Sequence, residues 1–197
     1  MSRYSNYDSI SMKDIIYKEP VDKTSIIIYN NKLNVEPMLL TTPVIRLKEI
    51  KENKIYLDLT ESTKFYDFIK IIDELNITNC YYNAKEWFKK NLSLSLIEEY
   101  YQSPIIDNNL CLELSVDKNK KLEIDYILDT NKKYTNIHAL KNNSLIKLNL
   151  KYVGIQFKGR KFFPKIEIKS IKIYESIKKS IDVNSSDEEF TDDDDIF

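Results

Sequence analysis

The sequence predicts a mainly β fold with two or three helices (β+α), organised around a small closed barrel. Three observations predict it: apolar residues alternate along several short segments, helical periodicity is confined to the middle of the chain, and two long alternating segments near the C-terminus each change phase once. The chain has 197 residues, of which 42% are hydrophobic. This length and composition suit one domain with its own core, or one domain plus a tail.

The first predicted elements are an arm, a strand and a hairpin. Residues 1–24 are polar and mixed, which indicates an N-terminal arm or a peripheral strand. The stretch "SIIIYN" (25–30) predicts a strand, and 41–50 with 54–60 predict a hairpin. The hairpin turn falls at Glu52-Asn53, and the alternating residues of its second strand are Ile55, Leu57 and Leu59. That alternation predicts one buried face.

Helical periodicity follows the first hairpin. An amphipathic helix is predicted over residues 62–77, with Ser62 as its N-cap. Its apolar face comprises Phe65, Phe68, Ile69, Ile72 and Leu75. Residues 84–103 predict one or two further helices, which Pro104 ends. A second hairpin is then predicted from residues 110–116 and 121–128, with its turn at 117–120.

The stretch 144–175 predicts two long strands joined by a tight turn at residues 158–160. Side chains of a strand alternate between its two faces, so a change of phase indicates one extra residue, a β-bulge. The apolar residues are Ile146, Leu148, Leu150 and Tyr152, then Val153, Ile155 and Phe157, in the first strand, and Ile166 and Ile168, then Ile171 and Ile173, in the second. Bulges are therefore predicted near Val153-Gly154 and near Ser170. Bulges bend and twist strands, as the corners of a small closed barrel require; the alternative is chance in an isoleucine-rich chain.

The last fourteen residues form an acidic segment. From Asn184 onward the chain carries seven acids and no base, which leaves 30 bases against 24 acids in residues 1–183, a balance of +6. With so few apolar residues, this segment cannot offset the entropy of ordering itself. The sequence therefore predicts three parts: an arm (1–24), a domain (25–183) and a disordered acidic tail (184–197).

The composition excludes several classes of enzyme. With glycine at positions 154 and 159 only, neither a GxGxxG nor a Walker A motif exists. Cys80 and Cys111 are too few and too far apart for a disulfide framework, and His138 is the single histidine. We expect no enzyme, no metal and no cofactor. No signal peptide or membrane-spanning stretch is apparent, so an intracellular protein with reduced thiols is predicted.

Basic and aromatic residues are interleaved in the predicted strands. Single-stranded nucleic acid needs this combination, because cations neutralise phosphates and aromatic faces stack unpaired bases at ~1–3 kcal/mol per base. The candidate DNA-contacting residues are Arg46, Lys48, Tyr56, Lys151, Tyr152, Phe157, Lys158, Arg160, Lys161 and Phe162, and Phe163 and Lys165 extend the same interleaved stretch. The alternative is that the aromatics are core and the lysines are solvated surface.

The acidic tail suits a basic groove. A tethered polyanion resembles a phosphate backbone, and tethering gives it an effective concentration of order mM. It can therefore occupy the groove until DNA displaces it. The predicted partner-binding tip is Asp192, Asp193, Asp194, Asp195, Ile196 and Phe197, whose last ring and carboxylate suit an apolar pocket ringed by bases. The alternative is that the tail only adds solubility.

At these residues the chain resembles the replicative single-stranded DNA-binding proteins of bacteria, podophages and large DNA viruses, in which a small barrel precedes an acidic tail ending in Phe. Residues 142–175 are similar in layout to the closing strands of the podophage and viral type, and 40–50 resemble an early strand of the viral members. The sequence departs from that group in its two glycines and in a helical insert at 62–103.

The resemblance implies an OB-like barrel, binding of single-stranded DNA, and a tail that recruits replication proteins such as a polymerase, primase or helicase. It points to Tyr152, Phe157 and the Lys158–Lys161 turn as groove elements, and to Asp192–Asp195 with Phe197 as the recruiting tip. The predicted function is to coat and protect unwound DNA at the cytoplasmic or nuclear site of viral replication. The alternative is a β-domain interaction module without DNA affinity, whose acidic tail binds basic proteins. No membrane partner is expected, and self-association stays open.

Overall fold

The computed structural model describes residues 4–18, 25–29, 37–119 and 121–174, which form twelve strands and three α-helices. The strands are β1 (Ser5–Asn6), β2 (Ile16–Tyr17), β3 (Ser25–Tyr29), β4 (Met38–Thr41), β5 (Ile45–Lys51), β6 (Lys54–Asp58), β7 (Ile105–Ile106), β8 (Asn109–Glu113), β9 (Tyr126–Leu128), β10 (Tyr134–Thr135), β11 (Leu145–Lys158) and β12 (Lys161–Tyr174). The helices are α1 (Thr63–Tyr82), α2 (Ala84–Trp87) and α3 (Leu94–Tyr100). The mainly β fold with a small number of helices is confirmed.

Five strands close on one another in the order β5-β6-β8-β12-β11 and back to β5. The pairs β5–β6, β6–β8, β11–β12 and β11–β5 are antiparallel ladders. The join between β8 and β12 is made by the segment that leads into β7: Gln102 N–H donates to the Phe162 carbonyl at 2.9 Å, and β7 pairs with β8. The result is an OB-like barrel with its helices inserted between the second and third barrel strands.

The core fills the interior of this barrel and the space beneath α1. Inward residues of the barrel strands that are at most 3% exposed include Ile45, Leu47, Ile55, Leu57, Leu110, Leu112, Ile146, Leu148, Leu150 and Ile168. On the helical side, Phe65, Ile69 and Ile72 of α1 are also at most 2% exposed. Because all of these residues recur at strand or helix spacing, the sequence pattern alone identifies most of the core.

Both predicted bulges are present on the long hairpin. Tyr152 pairs with Ile166 and Gly154 with Lys165, so Val153 is the extra residue on β11. Asn149 pairs with Ser170 and Leu150 with Ile168, so Lys169 is the extra residue on β12. A third bulge, at Lys48 of β5, was not predicted. These bulges let two fourteen-residue strands bend around a small core.

The two tight hairpin turns use left-handed backbone conformations. Glu52 and Asn53 have φ values of 51° and 60°, which fits the twist of the β5–β6 hairpin. Gly159 has φ 65° at the tip of β11–β12. Both turns fall at the predicted positions.

The predicted second hairpin is present only around its turn. Val116 bridges Leu122, and Asp117 N–H donates to the Lys121 carbonyl (2.8 Å) and Glu123 N–H to the Ser115 carbonyl (2.9 Å), whereas farther along the chain β9 runs parallel to β12. The physical reason is that β8 already has β6 on one edge and β7 on the other. The returning chain instead pairs with β12, as β9.

The helices agree with the prediction in place and differ in length. α1 continues to Tyr82, five residues beyond the predicted end, and residues 84–103 contain two helices. Ser62 stands at the N-cap of α1, although its side chain does not cap the helix. Leu75 is only half-buried, whereas the polar residues Asp73 and Asn76 are buried.

A buried polar network explains why α1 turns polar side chains inward. Asn76 Nδ2 donates to the hydroxyls of Tyr152 (2.8 Å) and Tyr101 (2.9 Å), and Tyr17 OH donates to Asn76 Oδ1 (2.9 Å). Asp73 accepts hydrogen bonds from the hydroxyls of Tyr101 and Ser103. The network ties α1 to β11, to the barrel-closing segment and to the N-terminal segment. Burial raises the pKa of Asp73, and hydrogen bonds from Ser103 and Tyr101 oppose that rise.

The described part of the predicted N-terminal arm packs on the domain. β1 pairs with β4, Ile10 is in the core, and the Tyr7 ring lies 4.9 Å from that of Phe65. The predicted tail, 184–197, lies outside the described residues. Within the described part of the chain, no helix is both long enough and apolar enough to cross a membrane.

Candidate nucleic-acid interface

A groove of about 640 Å³ runs along the join between β8 and β12. Its floor and walls come from β8, from the closing segment before β7, and from the ends of β11 and β12 nearest their turn. It is a large, open concavity over the seam where the barrel closes, so its existence depends on contacts between parts of the chain that are distant in sequence.

Three lysines and one carboxylate give the groove its charge. Lys54, at the start of β6, lies opposite Glu113 of β8, and Lys158 and Lys165 enter from β11 and β12. The Phe163 ring lines the same groove, and Gln156 is its partner across the hairpin. The groove therefore combines a positive balance with two half-buried aromatic residues, Phe163 and Tyr101.

The β11–β12 turn stands beside the groove as an exposed basic tip. Lys158, Arg160 and Lys161 are all exposed, and Lys158 and Lys161 lie directly opposite each other in the ladder. Like charges in that position destabilise a sheet. Among the described residues, none of these three cations forms an ion pair with a carboxylate.

An aromatic cluster supports this tip from the helical insert. The Phe88 ring lies 5.2 Å from that of Phe157 and 6.4 Å from that of Phe162, and Tyr101 packs on Phe162 at 5.4 Å. Phe88 and Phe157 are half-buried. Lys89 and Lys90, directly after Phe88, are both exposed. The insert therefore brings two further cations toward the turn.

Two of the predicted stacking residues are in the core, and the structure corrects that prediction. Tyr152 is 2% exposed, and its hydroxyl accepts a hydrogen bond from Asn76. Phe162 is 4% exposed and packs between Phe88 and Phe157. Both side chains lie on the inward face of their strands, so neither ring can receive a base. Phe157 is half-buried at the edge of the same cluster.

The other predicted cations divide between the tip and positions outside the groove. Lys158 lines the groove, and Arg160 and Lys161 lie beside it. Arg46 is paired with Glu61 at 3.7 Å, and Lys151 with Glu167 at 3.9 Å. Arg46, Lys48 and Lys151 are not part of the groove lining, and Lys48 is the exposed residue of the β5 bulge.

Tyr56 lies on the outward face of β6, directly opposite Cys111, which lines the groove. A hydrogen bond to Cys111 and electrostatic repulsion from the Cys111 thiolate, when it forms, raise the pKa of Tyr56. Burial and repulsion from the carboxylates of Glu52 and Glu49 raise it further by smaller amounts. Its surroundings are therefore partly acidic. Cys111 is half-buried and Cys80 fully buried, both as free thiols, and burial raises the pKa of Cys80 to about 12.

Two groove or tip residues, Lys54 and Phe88, were not predicted at all, and two others, Phe163 and Lys165, were named only as an extension of the interleaved stretch. For Phe163 and Lys165 the signal was present in the sequence, since both lie on the odd, outward phase of the second long strand. Lys54 and Phe88 come from a hairpin and a helical insert, and only the closed barrel places them here. Across the described ranges, no three His, Cys, Asp or Glu side chains come close enough to hold a metal ion.

Solved structures of two bacteriophage proteins resemble this fold. The single-stranded DNA-binding protein from bacteriophage Enc34, C-terminally truncated, is 9% identical, with a TM-score of 0.44 over 84% of this chain and 97% of that chain. The same protein in complex with ssDNA gives 9% identity and a TM-score of 0.41 over 83% and 96%. The single-stranded DNA binding protein gp2.5 encoded by bacteriophage T7 is 12% identical, with a TM-score of 0.42 over 74% and 96%.

No curated protein sequence matches the chain. A model of one protein family matches residues 44–192, a span that begins just before β5 and includes all five barrel strands. The match covers well over half of the chain. The chain therefore belongs to DUF5871, a family of unknown function.

Proposed function

We propose that this protein is a non-enzymatic single-stranded DNA-binding protein, and that the strand lies in the groove between β8 and β12. The observation that carries the proposal is one juxtaposition: the groove lysines, the Phe163 ring and the exposed basic tip meet at the same end of the barrel. Cations that follow the backbone and rings that stack bases are what a single strand requires.

The barrel topology supports the same location. Counted along the chain, the barrel strands are β5, β6, β8, β11 and β12, so the Glu52-Asn53 turn joins strands one and two, and the Lys158–Lys161 turn joins strands four and five. In OB-folds, the face of strands two and three and these two loops bind oligonucleotides. Lys54 follows the first turn and Lys158 begins the second, and both line the groove.

The groove chemistry favours unpaired over paired DNA. Phe163 can stack only on a base whose face is free, which a duplex does not offer. Lys54, Lys158 and Lys165 neutralise phosphates and release counterions, so binding weakens as salt rises. No sequence preference is expected, because every base presents a face that can be stacked.

In replication, such a protein would coat and protect unwound DNA. The acidic tail (184–197) would compete for the basic groove when DNA is absent. Once displaced, Asp192–Asp195, Ile196 and Phe197 would be free to recruit replication proteins, at the effective concentration of order mM that a tether provides. Deleting residues 184–197 should therefore tighten binding to DNA.

The second candidate is an interaction module whose acidic tail binds basic proteins. The observation that favours it is the mixed charge on the outward face of β5 and β6. There Arg46 is engaged by Glu61, and Asp58 is a stable anion because hydrogen bonds from Thr60 lower its pKa. This face offers no continuous basic track, and the module predicts no affinity for oligonucleotides.

The test is a titration of fluorescently labelled oligo-dT at several salt concentrations. We compare the wild type with K158Q/R160Q/K161Q and with the control K13Q/K64Q, whose lysines are also exposed but lie outside the tip. Loss of three phosphate contacts should lower the slope of log K against log salt by about 2, at roughly 0.7 per phosphate. The control should match the wild type. Absence of binding by the wild type, with the tail present or deleted, would favour the interaction module.

A further inference from the structure

A second basic patch lies at the opposite end of the β11–β12 hairpin. Lys147 and Lys172 are directly opposite each other in the ladder, on the outward face of both strands. Two like charges in that position destabilise a sheet. Among the described residues no carboxylate forms an ion pair with either lysine, and Lys172 Nζ lies 4.8 Å from the centre of the Tyr174 ring.

The middle of the same face is neutralised. Glu167 lies opposite Lys151 and contacts its ammonium at 3.9 Å, and it contacts Lys169 at 3.0 Å. The hairpin thus provides a carboxylate for the lysines at its centre and leaves the pair Lys147 and Lys172 without one. The repulsion between those two has no structural compensation within the described chain.

Exposed aromatic rings adjoin this pair. β9 runs beside β12 with Leu128 next to Lys172, and β10 places Tyr134 opposite Leu128. The rings of Tyr134 and Tyr126 are 6.2 Å apart and perpendicular, and they are 82% and 39% exposed. Tyr134, Leu128, Lys172 and Lys147 therefore follow one another across four neighbouring strands on the outward face.

We propose that Lys147, Lys172, Tyr126 and Tyr134 form a second contact site for the same single-stranded polynucleotide that occupies the groove. The two lysines would share a phosphate, which removes their repulsion, and the exposed Tyr134 ring would stack a base. This inference rests on the proposed function and lengthens its binding site. It follows from uncompensated positive charge beside exposed rings, a combination that suits a strand carrying both phosphates and free bases.

The spacing sets the length of strand that reaches both sites. Lys165 in the groove and Lys172 in the patch are seven residues apart on β12, and Lys169 between them is a bulge. Because the bulged residue adds no full step, about six steps at about 3.3 Å per residue separate the two lysines, which is roughly 20 Å. A stacked strand at ~3.4 Å per nucleotide needs about six nucleotides to cover that distance. Short oligonucleotides would therefore fill the groove alone, and longer ones would engage both sites.

The experiment compares two lengths of labelled oligo-dT, one of about five nucleotides and one of about twenty, with K147Q/K172Q. For the long oligonucleotide the slope of log K against log salt should fall in magnitude by about 0.7, the value for the one phosphate that the two lysines share. For the short one the affinity and slope should equal those of the wild type. Y134A should weaken only the long oligonucleotide, and K13Q/K64Q should change neither.

A stability measurement adds a second readout. K147Q removes the repulsion but leaves Lys172 on the Tyr174 ring, so its midpoint of thermal unfolding should equal or exceed that of the wild type. An unchanged slope for K147Q/K172Q on the long oligonucleotide would overturn the proposal, as would an equal loss on both lengths. Polyglutamate binding that depends on the two lysines, without any loss on oligo-dT, would assign the patch to an acidic protein segment. If the wild type binds neither length, the proposed function itself fails.

Discussion

Phe162 and Phe163 are adjacent and chemically identical, yet they lie on opposite faces of β12. Phe162 is 4% exposed and contacts the rings of Phe88, Tyr101 and Phe157, whereas Phe163 lines the groove. We predict that F163L weakens DNA binding and leaves the fold stable. F162L should destabilise the fold and leave the affinity of the folded protein for DNA unchanged. Each substitution keeps an apolar side chain, so the pair separates the role in stacking from the role in packing.

The magnitudes follow from the two environments. F162L removes three buried carbon atoms, which at ~0.8 kcal/mol each lowers the free energy of unfolding by about 2.4 kcal/mol. For a chain of this size that corresponds to a fall of about 5–10 °C in Tm. F163L removes a stacking face worth ~1–3 kcal/mol, which raises Kd for oligo-dT by a factor of about 5–150.

Fluorescence anisotropy with oligo-dT and thermal unfolding by circular dichroism measure the two effects independently. The matched background is the wild type under the same salt, because affinity for DNA cannot be compared across salt concentrations. Equal Kd values for F163L and the wild type would show that no base stacks on Phe163. A loss of affinity in F162L without any loss of stability would contradict the assignment of that ring to the core.

Three further predictions concern the network, the turn and the helical insert. Burial raises the pKa of the Asp73 carboxyl above its unfolded value, so the folded state binds the carboxyl proton more tightly, and the stability that this proton confers is lost as pH rises above about 4. In urea unfolding between acid and neutral pH, D73N should therefore lose less stability with rising pH than the wild type. An unaltered pH profile in D73N would contradict this prediction. Gly159 has φ 65°, and a Cβ added there would meet nothing within 4 Å, so G159A should cost about 1 kcal/mol from backbone strain alone and G159N less, measured by the same unfolding assay. Trp87, the single tryptophan, precedes Phe88, so oligo-dT should change its emission and duplex DNA should not, and K158Q/R160Q/K161Q should suppress the change.

Much of the barrel was predictable because its signals are local. A phase change in an alternating strand occurs where one extra residue interrupts the pleat, and both predicted bulges are present, at Val153 and Lys169. The same alternation also contained the information that the site prediction overlooked. Tyr152 shares the even, inward phase with Leu148 and Leu150, and its hydroxyl is satisfied inside the core. Composition suggested a stacking ring, but the alternation indicated a core residue.

The groove itself was not predictable, because it forms where segments distant in sequence meet. The closing hydrogen bond joins Gln102 to Phe162. Lys54 and Lys165 line the same groove although they lie far apart in the sequence. Alternation says which face a side chain occupies, but not which strand lies beside it. The predicted hairpin at 110–128 does not extend to β8 and β9 for the same reason, since the partner of each strand depended on which edge was free rather than on the sequence between the strands.

The lysines of the β11–β12 hairpin have different cross-strand partners at its centre and at its two ends. Lys151 faces Glu167, as stability requires, whereas Lys158 faces Lys161 at one end and Lys147 faces Lys172 at the other. A carboxylate at either end would stabilise the ladder by a few tenths of a kcal/mol to about 1 kcal/mol. The repulsion at both ends is therefore a cost that the fold does not need, and under the proposed function a bound polyanion would relieve it at the groove and at the far patch alike. If neutralising either lysine pair left both the salt dependence of DNA binding and the stability of the protein unchanged, the interpretation that these pairs serve DNA binding at a cost in stability would be wrong.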